Sequence, residues 1–174
     1  DARQAEYVCL SRDTPVIRYL ELPQPVPPFQ VSPPLRILGM VASPSDLPLL
    51  DLENEKQRIE RALAQLQGDD LIELTWIEGQ TWRDIQRAMR SGVWHIFHFI
   101  GHGEFDANLD QGVVALADER GLTHRLMAVE LGRLLADHRA LRLVVLNSCE
   151  SGRGGQRDIF SSTASILGCV DISS

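Results

Sequence analysis

The chain has few cysteines and no excess of positive charge. Its three cysteines, Cys9, Cys149 and Cys169, are widely spaced, which argues against a disulfide framework and against a CxxC metal site. Lysine and arginine together number 17 against 24 acidic residues, for a net charge of -7, so no positive stripe is offered to a phosphate backbone. We therefore expect reduced thiols, a cytoplasmic location and no nucleic-acid partner.

Long apolar runs are also missing. No stretch approaches the roughly 18 apolar residues that cross a bilayer, and the first ten residues, DARQAEYVCL, do not have the pattern of a signal peptide. We expect a soluble protein with no membrane partner. A length of 174 residues with 44% hydrophobic content suits one globular domain. Because the chain opens on Asp1 rather than Met, we expect it to be excised from a longer protein or processed.

The chain divides into a short N-terminal part, residues 1–34, and a main domain, residues 35–174. The first part contains a strand-like segment at 16–22 and a proline-rich connector. In the main domain we predict strands at 35–41, 71–77, 93–100 and 141–146, and a hairpin across 118–121. The turn-rich segment SPSDLP leads into a helix at about 51–68, and Thr81 with Asp84 forms a capping-box signature for a second helix at 81–89. A third helix carries Leu131, Leu134 and Leu135 on one face, and a fourth covers 160–167.

Strands that alternate with helices predict an α/β fold with a mostly parallel sheet. The last predicted strand is the most apolar in the chain and would normally lie inside a sheet with neighbours on both sides. We therefore expect the C-terminal part of the fold to lie beyond residue 174.

Two of the predicted strands end at a reactive side chain followed by glycine. HIFHFIGHG contains His102 and LRLVVLNSCESG contains Cys149, 47 positions later. Parallel strands end at the same edge of a sheet and neighbours lie about 4.8 Å apart, so these two residues can meet. An imidazole beside a thiol raises its nucleophilicity, and the pattern therefore predicts a catalytic Cys/His pair.

Each residue of this pair also has a structural interpretation. His102 is either a general base or a polar residue in a glycine-bounded turn after its strand, and Cys149 is either a nucleophile at the mouth of a flexible loop or a small buried apolar residue. Gly103 leaves room for a substrate carbonyl, so the backbone amides of Gly103 and Cys149 are candidate oxyanion donors.

Other polar residues near these motifs have weaker functional interpretations. His95 and His98 lie on opposite faces of a strand, so a metal site with His102 is not expected, and His98 is interpreted as a hydrogen-bonded support. The glycines after Cys149 match no phosphate-binding motif, so no cofactor is expected. Asp106 belongs either to a solvated acidic loop, 104–112, or to a contact with a basic substrate residue.

The motifs FHFIGHG and LVVLNSCESG resemble those of the caspase-like cysteine peptidases, most closely the bacterial CHAT-domain branch, from about Leu35 to the end of the chain. VIRYLELP and ASPSDLPLLD are similar to segments of the same branch. The resemblance implies a caspase-like sheet with helices on both faces. It implies His102 as the base, Cys149 as the nucleophile, a protein or peptide substrate, and an attached sensor such as TPR-type helical repeats.

The sequence departs from the pattern of this clan at a position that bears on substrate specificity. Metacaspases of this clan have an acidic residue two positions before the cysteine, whereas this chain has Asn147, so a preference for basic P1 residues does not carry over. Asn147, Glu150 and Asp106 are the candidate pocket residues. No carboxylate that orients His102 is assigned from the sequence.

Three functional hypotheses follow from these motifs. The first is a cysteine endopeptidase domain regulated by a sensor domain or partner. The second is a noncatalytic caspase-like interaction module, and the third is a small-molecule-binding α/β domain of another family.

Overall fold

The computed structural model describes residues 32–149, and within them the chain alternates strands and helices before ending in a hairpin, a helix and a last strand. The elements in chain order are β1 (Leu35–Ala42), α1 (Leu52–Gly68), β2 (Ile72–Trp76), α2 (Trp82–Arg90), β3 (Ile96–Asp106), β4 (Gln111–Ala117), β5 (Thr123–Met127), α3 (Ala128–Ala136) and β6 (Leu143–Cys149).

These strands form a single mixed sheet in which β3 is central. The order is β2-β1-β3-β4-β5, with β6 also paired to β3. The four strands β1, β2, β3 and β6 pair in parallel, whereas β4 and β5 pair antiparallel. The first part of β3 pairs with β1 and β6, and its last part, from Gly103 to Asp106, pairs with β4. The predicted α/β fold with a mostly parallel arrangement is confirmed.

One face of the sheet carries the main core. Alternate residues of β1 and β3, such as Leu38 and Phe97, are buried there against α2 and α3. The predicted helical spacing explains this packing, because Ile85 and Met89 of α2 lie one turn apart on the same side of the helix. The other core residues on this face include Met40, Phe99, Leu131, Leu135 and Leu141.

The opposite face is covered in part by α1. Trp76 at the end of β2 donates its indole N–H to the Glu60 carboxylate of α1 at 2.8 Å, and Lys56 of the same helix lies 5.2 Å from the centre of the Trp76 ring. The ring in turn packs on Gly39 of β1. Helices therefore lie on both faces, as predicted, although no residue of α1 is fully buried.

The C-terminal ends of two strands were predicted too early. β3 starts at Ile96 and continues to Asp106, so His102 lies inside a strand and not in a turn after it. A Cβ on Gly101 would lie 2.6 Å from the Phe99 ring, and a Cβ on Gly103 would lie 2.6 Å from the Ser148 hydroxyl. The flanking glycines are therefore required by close packing within the sheet, whereas the prediction took them as turn signals.

The end of β6 and the loop after β3 also differ from the prediction. β6 includes Cys149 as its last residue, so the cysteine is not beyond the strand. Residues 104–106 of the predicted acidic loop belong to β3, and the turn that remains spans 107–110. The predicted segments 16–22 and 160–167 and the glycine-rich stretch 150–155 lie outside the described residues. Within residues 32–149 no helix is long and apolar enough to cross a membrane.

We predict that Gly39→Ala destabilises the protein by about 1–3 kcal/mol, because its Cβ overlaps the Trp76 ring, which α1 holds in place. Urea denaturation measures the loss. Gly68→Ala is the matched control, because a Cβ there meets nothing within 4 Å. Equal stability of the Gly39→Ala variant and the wild type would show that Trp76 is not fixed over β1.

A second prediction concerns the capping box of α2, which the sequence predicted and the structure confirms. The Asp84 carboxylate accepts hydrogen bonds from the Thr81 amide at 3.0 Å and the Thr81 hydroxyl at 2.7 Å. Burial on its own raises the pKa of Asp84, but these hydrogen bonds and the charge of Arg87 outweigh it, so the pKa lies below its ordinary value. The ionised carboxylate therefore stabilises the fold above its unfolded-state pKa, and this contribution is lost as the pH falls through the folded-state pKa.

Asp84→Ala should consequently lower the free energy of unfolding by about 1 kcal/mol at neutral pH, and the difference should shrink at about pH 3. Urea denaturation at the two pH values tests this. The exposed Glu78 gives the control Glu78→Ala. A difference that stays the same at both pH values contradicts the role of the charge.

Candidate active site

His102 and Cys149 occupy directly paired positions in neighbouring parallel strands. The register of β3 and β6 runs from Ile96 with Leu143 to His102 with Cys149. Paired residues of parallel strands lie about 4.8 Å apart and belong to the same face of the sheet. Residues 47 positions apart in the chain are therefore brought together at the end of β6, as the two motifs predicted.

The imidazole of His102 is held by a backbone carbonyl. His102 is only 6% exposed, and its Nε2 lies 2.7 Å from the carbonyl oxygen of Pro48. A carbonyl oxygen only accepts hydrogen bonds, so Nε2 carries the proton in the neutral ring and Nδ1 carries the lone pair. The ring is thereby oriented with Nδ1 as the nitrogen that can accept a proton.

Sequence reasoning missed this orienting group. No carboxylate that orients His102 was assigned. The orienting group is instead a main-chain oxygen in the loop 43–51 between β1 and α1. Every residue has a carbonyl, so no residue type marks it. The motif SPSDLP did predict a turn-rich segment here, and the structure adds that this segment lies over His102.

His98 shares its face of β3 with His102 but is four residues away, which is about 13 Å along a strand. Its Nε2 is buried and has no hydrogen-bond partner in the described part of the chain, so the predicted support is not observed at this atom. Burial lowers the pKa of His98. His95 instead accepts a hydrogen bond from the Arg36 amide at 2.9 Å. Among residues 32–149, no group of three or more His, Cys, Asp or Glu side chains could hold a metal ion.

The candidate pocket residues differ in their surroundings. Asn147 is exposed on β6, two positions before Cys149 and on the same face of the sheet. The Asp106 carboxylate accepts hydrogen bonds from the Arg125 side chain at 2.7 Å and from the Asn108 amide at 2.9 Å. Glu150 lies outside the described residues.

Arg125 links two acidic residues that follow His102 on β3. Its two terminal nitrogens lie 2.8 Å from the Glu104 carboxylate and 2.7 Å from the Asp106 carboxylate. The guanidinium is 44% exposed, so these ion pairs stabilise the fold little. They do offset part of the negative charge at the end of β3 that follows His102.

Comparison with protein families agrees with these features. The family model described as the CHAT domain matches residues 9–168. A search of curated protein sequences finds no significant match. The CHAT family is related to the caspase-like cysteine peptidases, which agrees with the helix-covered sheet and with the resemblance of the two motifs. The chain belongs to the CHAT-domain family.

Proposed function

We propose that this chain is a cysteine endopeptidase domain that hydrolyses peptide bonds with Cys149 as nucleophile and His102 as general base. The observation that carries the proposal is the register of β3 and β6, which pairs the two positions at the end of β6. The hydrogen bond from His102 to Pro48 supports it, because it leaves Nδ1 with the lone pair.

In the proposed reaction, Nδ1 of His102 takes the proton of the Cys149 thiol. The thiolate attacks the carbonyl carbon of the scissile peptide bond and forms a tetrahedral intermediate with a negatively charged oxygen. His102 then gives its proton to the leaving amine and a thioester remains. A water molecule, deprotonated by the same imidazole, hydrolyses the thioester and regenerates the thiol.

The oxyanion would be stabilised by backbone amides, and we propose those of Gly103 and Cys149. Gly103 follows His102 in β3, and Cys149 is the residue of β6 that pairs with His102. Asn147 lies on the same face as the pair and is exposed, so it is the described residue best placed to contact a substrate side chain. Asp106 already binds Arg125. A basic substrate residue would therefore compete with that arginine for the carboxylate.

Regulation by a sensor domain or partner is part of the proposal. His102 is 6% exposed, and a substrate carbonyl needs access to the thiol and the imidazole. The burial also favours the second candidate function, a noncatalytic interaction module in which His102 only packs. Reactivity of the Cys149 thiol distinguishes the two.

The first test is peptide cleavage by the full-length protein, with a proteome-derived peptide library as substrate and mass spectrometry as the readout. Replacement of either Cys149 or His102 by alanine should lower the rate by at least about 10²-fold, because each takes part directly in bond cleavage. Cys169→Ala is the matched control and should cleave at the wild-type rate. Cleavage that persists after loss of Cys149 would exclude it as the nucleophile.

The second test needs no substrate. In the 174-residue chain with Cys9→Ala and Cys169→Ala, Cys149 is the remaining thiol, and its alkylation by iodoacetamide is followed by mass spectrometry of the peptide that contains it. Because a neighbouring imidazole promotes thiolate formation, addition of His102→Ala should slow alkylation at pH 6 about tenfold. Equal rates with and without the imidazole would contradict the pairing, and a thiol inert in both proteins would favour the interaction module.

A further inference from the structure

We infer that Asp46 and Thr123 are positioning residues that act on His102 through the carbonyl of Pro48. This inference rests on the proposed function. Asp46 lies in the loop between β1 and α1, two residues before Pro48, and Thr123 is the first residue of β5. Neither residue was singled out by the sequence.

Hydrogen bonds join this loop to the hairpin of β4 and β5. The Oδ1 atom of Asp46 accepts two of them, from the Thr123 amide at 2.8 Å and from the Thr123 hydroxyl at 2.7 Å. The carbonyl oxygen of Gly121 accepts two more, from the amide of Ser45 at 2.9 Å and from its hydroxyl at 3.0 Å. These contacts end two residues before the carbonyl that binds His102.

Apolar burial does little to fix the same stretch. Pro44 is fully buried at its start and Leu47 and Leu50 are half-buried, but Ser45, Asp46 and Pro48 are exposed and Leu49 is 91% exposed. A stretch with few buried side chains depends on hydrogen bonds to restrain it. The loop also has the hydrogen bonds from the Ser43 amide to the Gln80 side chain at 2.8 Å and from the Leu47 amide to the Pro44 carbonyl at 3.2 Å. The bonds of Ser45 and Asp46 are those that tie it to the hairpin, and we infer that they help to determine where the Pro48 oxygen lies.

The hairpin is a rigid anchor for this purpose. Asp118 accepts hydrogen bonds from the amides of Arg120 and Leu122 across the turn, at 2.7 Å and 2.9 Å. Gly121 has a φ of 79°, a conformation that glycine adopts without strain. The hydrogen bonds within the turn therefore hold the Gly121 carbonyl and Thr123 in place without any contribution from the loop. The hydroxyl of Thr123 also lowers the pKa of Asp46, so the carboxylate that accepts these bonds stays ionised at neutral pH.

The test compares variants that remove the restraint with variants that keep it. Asp46→Ala removes the acceptor, whereas Asp46→Asn retains Oδ1. Thr123→Val removes the hydroxyl, whereas Thr123→Ser retains it. The matched control is Glu73→Ala, which removes an exposed carboxylate bound to Arg36 at 3.0 Å at the far edge of the sheet.

Two readouts are measured on the full-length protein. In peptide cleavage, Asp46→Ala should lower kcat about 10- to 100-fold with KM changed less than about twofold, because a misplaced base slows the chemical step more than binding. Asp46→Asn, Thr123→Ser and Glu73→Ala should retain most of the wild-type kcat. The kcat of Thr123→Val should lie between those of the two groups, because the backbone amide of residue 123 still donates a hydrogen bond to Asp46.

The second readout is the nitrogen NMR spectrum of His102 in Cys149→Ala protein labelled with ¹⁵N-histidine. With the loop fixed, Nε2 should give the shift of a protonated ring nitrogen and Nδ1 that of an unprotonated one. In Asp46→Ala the two shifts should move toward each other as the tautomers exchange. If Asp46→Ala fails to fold, Thr123→Val supplies the same comparison.

The outcomes separate this inference from the proposed function. Unchanged ring shifts in both Asp46→Ala and Thr123→Val overturn the inference, whatever happens to kcat. If the ring shifts change but neither wild-type nor variant protein cleaves peptides, the positioning role stands and the peptidase proposal fails.

Discussion

The register between β3 and β6 determines what the candidate site can be. Phe97 and Phe99 of β3 pair with Val144 and Leu146 of β6, and all four belong to or pack against the main core. A shift of one residue would move the β6 side chains to the opposite face and expose apolar surface. Core packing therefore sets the alignment of His102 with position 149, three or more residues further along.

The candidate site is assembled from segments that are distant in the sequence. β3 supplies His102, β6 supplies Cys149, and the loop after β1 supplies the Pro48 carbonyl. The β4–β5 hairpin adds the restraint on that loop. β3 connects these segments because it is long enough to pair with three strands. Its first part pairs in parallel with β1 and β6, and its last part pairs antiparallel with β4.

Features that repeat along the chain were predicted well from the sequence. Apolar periodicity located the strands and helices within residues 35–149, and the capping box placed the start of α2. Glycine was harder to interpret, because it marks either a turn or a position without room for a Cβ. At Gly101 and Gly103 the second cause applies. The sequence also has no signal for a main-chain acceptor or for a loop-to-hairpin contact such as that of Asp46 with Thr123.

The proposed chemistry requires the Cys149 thiol and the His102 imidazole to meet on one face of the sheet. The most direct measurement is the distance between Cys149 Sγ and His102 Nδ1 in a crystal structure of the full-length protein. We expect a separation of about 4 Å or less, within reach of proton transfer. Side chains on opposite faces of the sheet, or a His102 ring turned so that Nδ1 binds the Pro48 carbonyl, would contradict it.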